Sequence, residues 1–186
     1  LKIASIQSLY LQLREEFNSG IYVLSVYDGE GSVSCSGITE FSKPDHNYLK
    51  IQEAVSRLID EGFKIVTYNI RILYDYLDLA GLKSLKTFIK GLESTNSLID
   101  AREVLYKSLG CPIELEDVKK ILRLSSTSLG EIMRVIEDAK RMIPKLDLIE
   151  YISRIRSSQL IEFVEGESRA AYLSYIIGQK KLEETR

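Results

Sequence analysis

Apolar positions change their spacing along this chain, and the change marks out its elements. Leu1–Ile6 (LKIASI) alternates apolar with polar and reads as a strand. Ile21–Tyr27 (IYVLSVY) is apolar, β-branched and aromatic, which predicts a second strand. Asp28–Gly31 (DGEG) is turn chemistry, and Ser32–Phe41 alternates again, so an N-terminal β-hairpin is expected. Gln7–Asn18 fits a loop or a short helix. From Tyr48 the spacing lengthens to three and four. Tyr48–Glu61 predicts a helix with Leu49, Ile51, Ala54, Val55, Leu58 and Ile59 inward, ended by Gly62.

Lys64–Leu77 (KIVTYNIRILYDYL) joins both spacings. Ile65, Val66 and Thr67 form a short buried strand that ends at Asn69. Ile70, Leu73, Tyr74 and Leu77 then recur at helical spacing. A buried strand breaking into a helix is where open α/β sheets place their sites. Asp75 falls about a turn and a half into that helix, above the carboxyl end of the strand. Leu82–Asn96 is less regular, and Leu98–Asp100 is a candidate fifth strand. Helices follow over Ala101–Leu109, Glu114–Leu122, Leu129–Ile143 and Leu146–Ile155, with polar Ser125–Ser128 between the second and third. A long helix, about Gln159–Glu184, closes the chain. Strands interleaved with helices predict a mixed sheet in a single domain over residues 1–186.

Composition narrows the function classes. The chain has 186 residues, 45% hydrophobic and 28% charged, enough for one globular core. Cys35, Cys111 and the lone His46 supply no zinc set. They imply no disulfide framework, so a reducing, cytoplasmic setting is expected. No apolar run approaches the roughly 20 residues of a membrane span. Leu1–Tyr10 does not read as a signal peptide, and the absent initiator methionine suggests a piece of a longer chain. Net charge is −2, but Lys119–Arg156 holds nine Lys/Arg against five Asp/Glu, while the remainder holds 16 against 22. Such a stretch suits phosphate neutralisation, or else solvated helix faces.

Four stretches in order resemble the 3′–5′ exonuclease domain of family-B DNA polymerases, particularly archaeal ones. These are Leu1–Leu9 (LKIASIQSL), Val66–Leu77 (VTYNIRILYDYL), Ser97–Leu124 and Phe163–Tyr172 (FVEGESRAAY), with the hairpin after the first. The resemblance implies an α/β, ribonuclease-H-like fold. Its mixed five-stranded sheet would carry an N-terminal β-hairpin, helices on both faces and extra C-terminal helices.

The same resemblance defines a site. The family hydrolyses phosphodiesters with two metal ions about 4 Å apart, held by hard oxygen ligands. An Asp-x-Glu pair on the first strand, one aspartate on the middle helix and one on the last helix supply them. A tyrosine near the last aspartate orients the attacking water. Carried over, the pair falls on Gln7 and Leu9, the middle aspartate on Asp75, the last on Glu167 and the tyrosine on Phe163. Glutamine offers a neutral oxygen, leucine offers none, and phenylalanine cannot hydrogen-bond a water. The site is therefore expected to be degenerate, without a cofactor. Asp75 and Glu167 are residual metal candidates, and Mg or Mn matters only if some nuclease activity survives. If the first strand is misaligned, Asp28 and Glu30 supply the pair; their glycine-rich turn is the other account of them.

The resemblance implies an inactivated domain, nucleoid-associated, that serves as a scaffold or holds primer-template or single-stranded DNA in replication or repair. A family-B polymerase domain or replication subunit is its expected partner. Tyr68, Asn69, Lys119, Lys120, Arg123, Arg134, Lys140 and Arg141 form the expected DNA-binding set; Lys145, Arg154 and Arg156 add to the basic stretch. One alternative is a protein-interaction module using Tyr68, Tyr74, Tyr76, Tyr172 and Tyr175. Another is a weak metal-dependent exonuclease.

Overall fold

One strand has neighbours of both kinds, and the architecture follows from it. In the computed structural model, which describes residues 1–124 and 128–185, β1 (Ile3–Arg14) pairs antiparallel with β2 (Ser19–Tyr27) and parallel with β5 (Lys64–Thr67). β2 pairs antiparallel with β3 (Ser32–Glu40) across the Asp28–Gly31 turn. β3 carries a two-residue strand, β4 (Lys43–Pro44), and β5 pairs parallel with β6 (Leu98–Asp100). The sheet order is β4-β3-β2-β1-β5-β6. The protein is thus α/β with a mixed six-stranded sheet, one strand more than expected.

Gln7–Asn18, read as a loop or short helix, is instead mostly strand. β1 runs on to Arg14, and only Glu15–Phe17 forms a 3₁₀ turn. The reason lies in burial. Ile3 through Leu11 are all buried, so the strand is covered on both faces.

Helices cover both faces. α1 (Leu49–Asp60), α2 (Ile70–Leu79) and α3 (Lys83–Ser94) lie on one. α3 occupies the stretch that looked irregular. Leu85, Ile89 and Leu92 bury at steps of four and three. There Ala4, Ile6, Tyr10, Tyr22 and Leu24 of the sheet meet Ile51, Val55, Leu73, Leu77, Leu85 and Ile89 in one cluster. The other face takes α4 (Ala101–Leu109), α5 (Leu115–Leu122), α6 (Leu129–Met142) and α8 (Ser157–Glu184). α7 (Leu148–Tyr151) is a single turn, joined to α8 by a π-helical stretch, Ile152–Arg156. Of the polar Ser125–Ser128 segment, residues 125–127 lie outside the described residues. Ser128 caps α6 by accepting the Glu131 N–H at 3.2 Å.

The outer edge of β3 is closed by side chains. Asn47 donates to the Ser36 carbonyl (2.9 Å), Lys50 donates to that of Ser34 (3.3 Å), and the Ile38 N–H donates to Asp45 (2.8 Å). Cys35 is buried, Cys111 exposed, and both thiols are free. No helix among the described residues is long and apolar enough to cross a membrane.

Candidate functional site

The site forms where β5 stops. Thr67 ends the strand, and Asn69, at φ 73°, turns the chain into α2. Both sides of this break are held by side chains from the flanking strands. From β1, Gln7 is buried and its Oε1 accepts the Thr67 hydroxyl (2.9 Å) and the Tyr68 N–H (2.7 Å). From β6, the Asp100 carboxylate accepts the N–H groups of Asn69 (2.9 Å), Ile70 (3.0 Å) and Arg102 (2.9 Å). Asp100 thereby caps α4 and fixes the start of α2 with one side chain. Asn69 adds its own cap, accepting the Ile72 N–H at 3.4 Å.

Above this break lies a cleft of about 150 Å³, lined by Gln7, Ser8, Tyr68, Asn69, Ile72, Tyr76, Arg102, Glu114 and Glu167 among others. A second, wider hollow of about 410 Å³ shares Tyr76, Glu114, Leu115 and Glu167 with it, and adds Leu9, Lys120 and Phe163. The shared residues join the two into one groove. Its floor holds unusual polar groups. Ser8 is 7% exposed, and its hydroxyl has no hydrogen-bond partner among the described residues; the same is true of Arg102 Nε.

Lys119 is the strongest anomaly. It is 2% exposed, and its ammonium lies 3.7 Å from the Phe163 ring centroid and 3.5 Å from Glu116 Oε2. The ring face offers a cation–π contact in place of water. Protein crowds the carboxyl group of Glu167, although the residue keeps some exposure. Burial pushes that carboxyl up from 4.5 to about 7; the Lys119 charge opposes the shift and Glu116 adds to it. Among the described residues, no three His, Cys, Asp or Glu side chains come together as a metal site.

The candidates from the sequence separate here. Gln7, Leu9, Phe163 and Glu167 do converge on the groove. Gln7 acts as a strand-to-strand clamp, and Leu9 and Phe163 belong to the core. Asp75 does not converge. It is exposed and lines neither cavity; the residues of α2 that do are Ile72, Leu73 and Tyr76. Asp28 is committed to the hairpin turn, accepting the N–H groups of Glu30 and Gly31 at 2.9 Å each.

Of the DNA-binding set, Tyr68 and Asn69 line the cleft, and Lys120 lines the wider hollow. Tyr68 is buried, with its hydroxyl donating to the Ile113 carbonyl. Lys119 is not a surface charge at all. Arg123, Arg134, Lys140 and Lys145 are exposed, Arg141 pairs with Asp138 (3.0 Å) and Arg154 with Glu150 (3.2 Å). Arg156 is half-buried against Tyr151. Of the other tyrosines, only Tyr76 lines the groove: Tyr74 bonds Glu93, Tyr172 packs on Tyr27, and Tyr175 is 6% exposed in the core. Sequence reasoning missed Ser8, Arg102 and Glu114. Only the position of Arg102, two residues after the strand-ending Asp100, signalled any of them.

The chain matches no protein-family model, no curated protein and no solved structure.

Proposed function

We propose that the chain is a ribonuclease-H-like, exonuclease-type domain that holds DNA without cutting it. The observation that carries this reading is the ammonium of Lys119, buried against Phe163, a residue that lines the groove, and near enough to Glu167 to oppose the rise of its carboxyl, where the resemblance calls for divalent cations. An ammonium supplies positive charge there but cannot activate water as a metal ion does. The fold supports the reading too. Four antiparallel strands, the last of only two residues, come first in the chain, two parallel strands follow, and the groove lies at the carboxyl end of β5. Gln7 and Leu9 leave the first-strand positions without a carboxylate. Arg102 and Lys120, both on the groove, are the residues assigned to phosphate contact.

Fluorescence anisotropy with labelled single-stranded and primer-template DNA, in EDTA, tests the holding role. Binding should weaken steeply as salt rises, and Arg102→Ala or Lys120→Ala should weaken it further. End-labelled DNA should stay intact with Mg or Mn. Shortening from the 3′ end that Glu167→Ala abolishes would make the protein a nuclease. No binding at low salt would end the DNA reading.

A further inference from the structure

A second surface lies where three turns meet, and it does not depend on the groove. The β1–β2, β3–β4 and α2–α3 turns are fastened together through Asn18. Its Nδ2 donates to Ser42 Oγ (3.0 Å) and to the Leu79 carbonyl (3.2 Å), while its Oδ1 accepts from Gln12 Nε2 (2.9 Å). The Ser42 N–H donates to the Asn18 carbonyl (3.2 Å), and the Thr39 hydroxyl donates to the Ala80 carbonyl (2.9 Å). Gly81, at φ 76°, admits the Ser42 carbonyl oxygen to a place where a Cβ would lie 2.3 Å from it.

This rigid scaffold holds apolar side chains out into solvent. Phe17 is 47% exposed, Phe41 66% and Leu79 51%. The Phe17 and Phe41 rings meet edge to face at 5.3 Å. Phe41 and Ser42 sit at φ 52° and 65°, left-handed values that non-glycine residues avoid. Those values belong to the two-residue turn joining β3 to β4, which needs a positive φ at both positions and holds Phe41 out from the sheet. Glu15, Glu16 and Glu40 around it are exposed, and none of them forms an ion pair among the described residues. Exposed Lys43 stands opposite Glu40 across the turn, and the three glutamates leave the rim net acidic, which disfavours a phosphate backbone and suits a basic protein surface.

The chain carries that basic surface alongside. Arg14, which precedes Glu15, pairs with Asp147 at 3.6 Å and so ties in the turn after α6. There Met142 is 77% exposed and Ile143 54%, between Lys140 and Lys145. Neither lysine forms an ion pair among the described residues. Two apolar patches with opposite rims are thus joined through one ion pair.

We infer that a second copy of this chain covers this surface about a two-fold axis. Phe17, Phe41 and Leu79 of one copy meet Met142 and Ile143 of the other, with glutamates facing lysines. A two-fold axis forms each such contact twice, which suits adjacent, mutually complementary patches.

Sedimentation velocity and light scattering over rising concentration test this on the whole chain. A dimer is expected, loosened by salt. Phe41→Asp and Met142→Asp should each give a monomer with unchanged circular dichroism. Phe41→Asn should raise the melting temperature, because asparagine tolerates the left-handed backbone, and should weaken the dimer at least tenfold. Glu16→Lys with Glu40→Lys should weaken it, and adding Lys140→Glu with Lys145→Glu should restore it. A monomer at every concentration would overturn the inference. So would a dimer that survives Phe41→Asp or Met142→Asp, or charge reversals that do not compensate.

Discussion

Both faces of the sheet are covered by helices, yet they are packed on different terms. On the α1–α3 face, buried apolar side chains run unbroken from β6 to β3, Leu98 to Cys35. On the α4–α8 face, two apolar clusters are parted by polar residues. Ser5 donates to the Ser168 carbonyl, Ser168 donates to the Ser25 carbonyl at 3.1 Å, and Gln7 and Glu167 continue the seam into the groove, with Lys119 buried behind Phe163. Burying such groups is unfavourable without partners. The contrast teaches that one face is packed as a continuous apolar core, while the other gives up part of its core to buried polar groups beside the groove.

The largest break in that comparison should come from the continuous face. Leu77, fully buried there, should cost about 3 kcal/mol on Leu77→Ala, read by urea unfolding. Next comes Glu167. Its folded pKa is raised to about 7 from 4.5, so the native state holds the proton more tightly than the unfolded chain. Its contribution to stability is full below 4.5 and lost as pH rises through about 7. Glu167→Gln should therefore stabilise the protein by about 2 kcal/mol at pH 8 and leave pH 4 unchanged, removing that part of the pH profile. Ser168→Ala removes one hydroxyl that joins α8 to β2 and should cost about 1 kcal/mol. Lys119→Met should be the smallest, within about 1 kcal/mol of the parent, because an apolar chain of similar length replaces a desolvated charge. It should also push the Glu167 carboxyl still higher, an effect that NMR titration reads directly.

The same contrast explains what was legible in the sequence. On the α1–α3 face much of α1 and the start of α2 obey simple rules, while Leu49, expected inward, is exposed and α3 looked irregular. Ile51, Ala54 and Val55 and the strand-to-helix break at Asn69 all lie where the spacing places them. β1 past Gln7 was hidden because the adjacent polar pair Gln7–Ser8 interrupts the pattern, although Leu9, Leu11 and Leu13 then alternate with Tyr10, Gln12 and Arg14. The site was legible in outline only. Gln7, Phe163 and Glu167 reach the groove from stretches far apart in the chain. Asp75 lies on the exposed side of α2, whose buried positions are Leu73 and Leu77. Lys119 looked like one more surface base among the basic residues after it. Nothing local reveals that Phe163 covers its ammonium, a contact made across 44 positions of sequence.

The sealed edge of β3 bears on how this protein behaves when crowded. An open strand edge is a template on which further copies stack without limit. Asn47, Lys50 and Asp45 fill that template from within. Growth by strand addition is blocked, and any self-association is left to side chains, where it can close at a fixed number of copies. Unsealing the edge, as Asp45→Ala would, exposes a route to fibrils that the native fold keeps shut.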